Sequence, residues 1–225
     1  MIKLSRSKLE LSLGCSRCFW LDMKKGVKRP PSLPYTINSV IDGLLKREFD
    51  VHRQEGTPHY LLKRYNIDAI PYKCDKIDVW RHNFTGIQFH HKPTDFLVYG
   101  AVDDIWINPQ GELMVVDYKS TGANNHQIYP EYKRQMEIYQ WLLAKNNHKI
   151  SKTGYFLFAK VNKEGGFSAG RLSFDLFIEP QEGDISWVEE SIFEAKKVLD
   201  GSLPQHSPNC HYCQFAKIQS GTTYA

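Results

Sequence analysis

Residues 100–121 read G100-A-V-D-D-I-W-I-N-P-Q-G-E-L-M-V-V-D-Y-K-S-T121. Two apolar runs, 98–107 and 112–119, flank the turn-forming stretch P109-Q110-G111, and this pattern predicts two antiparallel strands. Side chains alternate across a strand. Ala101, Asp103, Ile105 and Ile107 therefore share one face of the first, and Leu113, Val115, Asp117 and Lys119 one face of the second. Pairing across the turn brings Asp103 towards Asp117. Asp104 points the other way and ranks below Asp103. Two carboxylates can hold Mg²⁺ or Mn²⁺ through hard oxygen ligands, and the backbone carbonyl of Tyr118 offers another oxygen. Such an ion activates water and offsets charge at a phosphodiester, while Lys119 orients the water or stabilises developing negative charge. The competing explanation is an Asp–Lys pair that is merely solvated.

Working outward, the spacing predicts a helix over 36–50, with Ile37, Val40, Ile41, Leu44 and Leu45 at a helical period. Residues 3–25 read as a helical start interrupted by a tight cysteine pair, with Ser5 or Ser7 as its cap. Residues 26–35 form a Pro-rich connector and 51–62 a loop with a short turn. Residues 63–97 read as loop and short strand. A helix is predicted at 131–146, strands at 154–160 and 171–178, and a last long helix at 184–200. Helix, strand, strand, helix, strand, strand, helix is the order of an α/β fold, a sheet flanked by helices. Trp106 and Trp141 belong to its core.

The chain has 225 residues, 41% of them hydrophobic, enough for one substantial core and a small accessory lobe. No apolar run reaches the roughly 18 residues of a membrane span, and the first fifteen residues do not read as a secretory signal. A cytoplasmic protein without membrane contact is expected. The net charge of +4 is weak evidence for a polyanionic partner. Lys24, Lys25, Lys28 and Arg29 are candidate phosphate contacts, as are Lys133 and Arg134. Residues 81–95, with His82, His90 and His91, can form a substrate-facing loop, but these histidines lack ligand spacing.

Cys15-x-x-Cys18 and Cys210-x-x-Cys213 place two sulfurs each within reach of one metal, leaving Cys74 over. Four thiolates favour zinc or an iron–sulfur cluster, and disulfides are disfavoured in cytoplasm. His206 and His211 are alternative ligands. A site of this kind ties the chain ends together and stabilises them.

The block G100-A-V-D103 followed by D117-Y-K119 resembles the central motifs of the PD-(D/E)xK nuclease superfamily. Q135-M-E-I-Y139 is similar to the Q-x-x-x-Y motif of its RecB-like branch, with Gln135 and Tyr139 on one helical face. Size and layout look most like the iron–sulfur nucleases associated with CRISPR adaptation. The resemblance implies a restriction-endonuclease-like mixed sheet flanked by helices, with a nuclease core at 36–200. A cysteine-ligated lobe at 1–35 and 201–225 joins the two ends. It implies metal-dependent processing of DNA ends by Asp103, Asp117, Lys119, Gln135 and Tyr139. It favours a [4Fe-4S] cluster on Cys15, Cys18, Cys210 and Cys213, with Zn²⁺ as the alternative. Protein partners in a recombination or CRISPR-adaptation complex follow from it as well. The branch usually carries a metal-binding histidine in its early helix. Here N38-S-V-I-D42-G-L-L-K46 stands there instead, so Asp42 is the candidate oxygen ligand, with Glu48 as the alternative in a different register; His52, the nearest histidine, falls at the helix end. That departure keeps open a second reading, a non-catalytic nucleic-acid-binding or assembly subunit.

Overall fold

The computed structural model describes residues 1–31, 36–124 and 127–221; residues 32–35 of the expected connector and 222–225 of the expected lobe lie outside them. In chain order the elements are β1 (Ile2–Ser5), α1 (Arg6–Gly14), α2 (Ser16–Lys25), α3 (Thr36–Glu55), α4 (Tyr60–Arg64), β2 (Ile70–Pro71), α5 (Ile77–Arg81), β3 (Ile87–His91) and β4 (Phe96–Gly100). They continue with β5 (Asp104–Ile107), β6 (Leu113–Thr121), α6 (Pro130–Lys145), β7 (Thr153–Val161), β8 (Phe174–Glu182), α7 (Ser186–Asp200) and α8 (His211–Gly221). Two compact units result. One holds the described residues of 34–89 and 99–185, the other those of 1–33, 90–98 and 186–225.

The first unit is built on a mixed five-stranded sheet of order β2-β5-β6-β7-β8. The β5–β6 hairpin is antiparallel, with Asp104 opposite Val116. Its turn closes where Gly111, at φ +76°, donates to the carbonyl of Asn108 at 3.0 Å. β6 and β7 are parallel, which requires a crossover, and α6 supplies it. The apolar run of β6 is buried without interruption from Leu113 to Tyr118, as befits a strand covered on both faces. On one face Ile41, Leu45 and Phe49 of α3 pack with Trp106, Met114, Val116 and Tyr118. Phe49 is fully buried, a gain of roughly 1.5–3 kcal/mol over leaving it in water. On the other face Met136 of α6 reaches Gly154 of β7, where a Cβ would lie 2.4 Å from its sulfur.

In the second unit Ser5 caps α1, its hydroxyl accepting from the Lys8 N–H at 3.2 Å. The sulfur of Cys15 caps α2, and Gly26, at φ +68°, ends that helix in the left-handed region. β1 joins a three-stranded sheet of order β1-β4-β3. α7 packs against α1 and α2, burying Val188, Ile192, Ala195 and Leu199. Its partners place it with the cysteine-bearing ends, although its position in the chain follows the sheet. Among the described residues no helix is long and apolar enough to cross a membrane.

Several expectations need correction. The run 98–107 is not one strand. β4 stops at Gly100 and β5 starts at Asp104, in different sheets. The break lies beside Gly86, whose φ of +59° and missing Cβ let the Gly100 carbonyl approach; an added Cβ would sit 2.3 Å from that oxygen. The stretch 63–97 contains a helix, α5, besides its short strands. Residues 51–55 continue α3 instead of opening a loop, and Gly56, at φ +68°, follows its end. β8 starts three residues later than predicted, and the C-terminal tail carries α8. Of the predicted stripe on α3, Ile41 and Leu45 are buried while Ile37, Val40 and Leu44 are more than half exposed.

Candidate active site and metal centre

The break before β5 leaves Asp103 outside the strand ladder, one residue ahead of the Asp104–Val116 pair. Its Oδ2 accepts the N–H of Tyr118 at 3.0 Å and its Oδ1 accepts from Lys46 Nζ at 3.2 Å. Lys46 also donates to Asp42 Oδ2 at 2.8 Å, one helical turn back on α3. Asp117 is fully buried and pairs with Lys119. Gln135 donates to Asp117 Oδ1 at 2.7 Å and to the Tyr139 hydroxyl at 3.2 Å. The structure thus gathers Asp42, Asp103, Asp117, Lys119, Gln135 and Tyr139, and adds Lys46, which the sequence reading left without a role. Neither Glu48 nor His52 joins them. Glu48 accepts from His59 at 2.8 Å, and His52 contacts Thr57 at 2.9 Å.

A cavity of about 340 Å³ opens among these groups, with Asp42, Asp103, Tyr118, Lys119, Tyr129 and Tyr132 in its lining. The Lys119 ammonium lies 4.4 Å from the centre of the Tyr132 ring, a cation–π distance. Burial, then the charge of Asp103, raises the pKa of Asp42 above the ordinary carboxylate value. Burial opposes the charge of Lys46, but Asp103 and Asp42 outweigh it and raise its pKa. Asp42 Oδ1 is buried with no hydrogen-bond partner among the described residues. A buried carboxylate oxygen in that state is costly, and a hard cation would satisfy it. The donor set fits Mg²⁺ or Mn²⁺ on this ground. As placed, the three carboxylates do not form a closed ligand cluster among the described residues.

Asp104 does point to the opposite face, but it is far from idle. It is fully buried and ion-paired to Arg53 and to Arg81, and it accepts the Tyr118 hydroxyl at 2.7 Å. Arg81 also grips Asp50 through both carboxylate oxygens at 2.9 Å and donates to the Asp103 carbonyl at 3.0 Å. This charged layer fixes the backbone that carries Asp103. Burial and the neighbouring Asp104 push the Tyr118 phenol well above its usual pKa, so it stays a donor. Arg53 and Arg81 come from α3 and α5, respectively beyond the predicted helix end and in an unpredicted helix. No local pattern marks them, since Arg53 lies in the polar stretch D50-V-H-R-Q-E55 and Arg81 in D78-V-W-R-H-N83.

In the other unit Cys15, Cys18, Cys210 and Cys213 are buried, with all four sulfurs within 4.8 Å of one another. Individual separations are 3.5 Å for Cys15–Cys213, 3.7 Å for Cys18–Cys210 and 3.9 Å for Cys18–Cys213. None is in a disulfide. The four can hold a metal ion and so link the N- and C-terminal regions. Burial pushes the Cys18 thiol up to about 12. At Cys210 burial acts in the same sense, but hydrogen bonds from the Cys213 N–H and the neighbouring thiols win and bring it down to about 7. Arg29 donates to Cys210 Sγ at 3.3 Å and stacks 4.8 Å above the Tyr212 ring. It serves this centre, while Lys24, Lys25 and Lys28 are exposed. His206 bonds the Cys213 carbonyl at 3.2 Å and lies outside the ligand group, as does His211. Cys74 is half-buried.

Lys133 is exposed at the start of α6, and Trp106 and Trp141 are core residues. Trp20 donates to the Gly201 carbonyl at 3.1 Å. The expected loop at 81–95 holds the last residue of α5 and the strand β3, with turns at 82–86 and a single 3₁₀ turn at Lys92–Thr94. His82 and His90 bond Thr85 and Asp95, while buried His91 bonds Thr94 and Glu189.

The family described as the PD-(D/E)XK nuclease superfamily matches residues 36–218. Among solved structures the chain is similar to SSO0001, at 14% identity and a TM-score of 0.44, over 96% of this chain and 84% of that one. It is also similar to an alkaline exonuclease, LHK-Exo, from Laribacter hongkongensis, at 11% identity and a TM-score of 0.43, over 97% and 93% of the two chains. The same enzyme in complex with dAMP matches with a TM-score of 0.42 at 11% identity, over the same shares. No curated protein matches the chain.

Proposed function

The chain belongs to the PD-(D/E)XK nuclease superfamily, and from that premise we propose that it is a divalent-metal-dependent deoxyribonuclease that processes single-stranded or frayed DNA ends. The observation that carries the reading is the gathering of Asp42, Asp103 and Lys119 on one cavity, with buried Asp117 held beside Lys119 and Gln135. Asp103, Asp117, Asp42 and the Tyr118 carbonyl would hold Mg²⁺ or Mn²⁺, which would supply an activated water and offset phosphate charge. Lys119 orients that water or stabilises the developing negative charge. Gln135 fixes the Asp117 carboxylate, and Tyr139 in turn holds Gln135. The cavity volume falls within the range of small-ligand sites, about 300–1,000 Å³, which suits a nucleotide or a strand end better than a continuous duplex. Tyr129 and Tyr132, edge-to-face at 5.3 Å, offer rings on which a base can stack.

The finer assignment to the RecB-like branch rests on Gln135 and Tyr139, while a cytoplasmic role in recombination or CRISPR adaptation rests on the size and layout of the chain and its lack of an apolar span or signal. The test is a labelled-DNA assay with Mg²⁺ or Mn²⁺ on single-stranded, double-stranded and frayed substrates. Asp117→Asn should lose cleavage and keep the fold; undiminished cleavage by the purified variant refutes the reading. One observation favours the non-catalytic alternative: the Lys46 ammonium already bridges Asp42 and Asp103. Calorimetry showing retained DNA binding but no uptake of either ion would support that alternative.

For the cysteine centre we propose a single Zn²⁺. Zn–S bonds of about 2.3 Å in a tetrahedron put the sulfurs about 3.8 Å apart; three of the six separations here are 3.5, 3.7 and 3.9 Å, and all lie within 4.8 Å. A [4Fe-4S] cluster would hold each thiolate on a different iron and spread them further. Anaerobic purification should give a colourless protein with one zinc. A brown protein with broad visible absorption would overturn zinc in favour of the cluster.

A further inference from the structure

Lys46 reaches both acids on the α3 side of the cavity. Its ammonium is 2.8 Å from Asp42 Oδ2 and 3.2 Å from Asp103 Oδ1. Asp42 lies one turn before it on α3, whereas Asp103 is 57 residues away in sequence. One positive charge therefore spans two carboxylates that would otherwise repel each other. Their side chains are not sealed off, with 21% exposure for Lys46, 32% for Asp42 and 25% for Asp103. The second oxygen of Asp42 is buried without a hydrogen-bond partner among the described residues, so one ammonium does not satisfy the pair. A lysine stem is flexible and its ammonium strongly hydrated, and the partial exposure leaves it a route to solvent.

We propose that Lys46 is a displaceable internal counter-ion: it occupies the carboxylate site when no divalent ion is bound, and ion entry requires its withdrawal. Divalent binding at this site is then an exchange of one cation for another. Its affinity is set below that of the bare carboxylates by the attraction that Lys46 must give up. The exchange also makes the site hold its shape without metal, because Asp42 and Asp103 never face each other uncompensated. This rests on the nuclease reading only through the identity of the ion-binding acids.

The test titrates Mn²⁺ alone, without DNA, into the full-length protein with its cysteine centre filled. Lys46→Met should bind Mn²⁺ more tightly than wild type, by several-fold to about tenfold, as expected when two partly exposed ion pairs no longer compete. Metal-free Lys46→Met should melt below wild type, and saturating Mn²⁺ should raise its melting temperature more than it raises that of wild type. Lys46→Gln is the fallback if the Met variant does not fold, with the same expectation, and Lys46→Arg should bind Mn²⁺ as weakly as wild type. Asp103→Asn identifies the signal as that of this site. Equal or weaker Mn²⁺ binding in both neutral variants overturns the proposal, and so does a complete lack of binding in every variant. The nuclease reading is judged separately, by cleavage in wild type against Asp117→Asn.

Discussion

Replacing Asp104 by Asn tests whether the buried charged layer holds the site. Asp104 is fully buried and meets two guanidinium groups, from Arg53 and Arg81, besides the Tyr118 hydroxyl at 2.7 Å and the Ile105 N–H at 2.8 Å. The amide is nearly isosteric, so the change removes charge and one acceptor without opening a cavity. Asp50 continues to bind both arginines, but a single carboxylate then faces two cations at the sheet. Removing one partner of a buried ion pair costs about 3–5 kcal/mol. With a urea slope of roughly 2 kcal/mol per molar, the midpoint should fall by about 2 M. Circular dichroism against urea measures it, and amide hydrogen exchange along β5 and β6 localises the loss. Tyr118→Phe removes only one hydrogen bond to a charged group, about 1.5–3 kcal/mol, and should fall between wild type and Asp104→Asn. A midpoint drop below about 0.5 M for Asp104→Asn would refute the reasoning and mean that water or Asp50 compensates the arginines.

His59 is fully buried against Phe49, with Nδ1 accepting the Leu61 N–H at 3.2 Å and Nε2 facing Glu48 at 2.8 Å. That contact requires an unprotonated Nδ1, and burial lowers its pKa below the ordinary 6.5. The unfolded chain binds the proton first, so stability is complete above pH 6.5 and declines as pH falls from there through the folded value. His148, also lowered by burial, adds to the same slope. Urea midpoints between pH 7.5 and 5 should show the decline, and His59→Gln should flatten it. Gly86→Ala should lower the melting temperature by about 5–10 °C, because φ +59° and a contact of 2.3 Å with the Gly100 carbonyl leave no room for a Cβ. Gly56→Ala, at φ +68° with nothing within 4 Å, should cost only about 1–2 kcal/mol, and equal losses for the two would refute the close-approach argument.

The β5–β6 turn, the strand carrying Asp117 and Lys119, and the helix carrying Gln135 and Tyr139 were legible in the sequence because their patterns are local. A period of two, a period of 3.6 and a glycine at a turn are each written within a few residues. The paired cysteines were legible for the same reason. What lay beyond local reading was the break at Ala101–Asp103, which depends on a glycine fourteen residues earlier approaching Gly100. The helix α5 was hidden in a short, weakly periodic segment, and with it Arg81. The extra turn of α3 matters because it places Arg53 beneath Asp104.

From the sequence alone came the α/β order, the candidate acids and lysine, and the four sulfurs. Only the tertiary structure decided how each acid is compensated: Asp104 by two buried arginines, Asp117 by Lys119 and Gln135, and Asp42 with Asp103 by Lys46. Periodicity follows from backbone geometry over a few residues. Charge compensation is a through-space quantity, and all but two of these contacts join residues 18 to 57 positions apart in the chain.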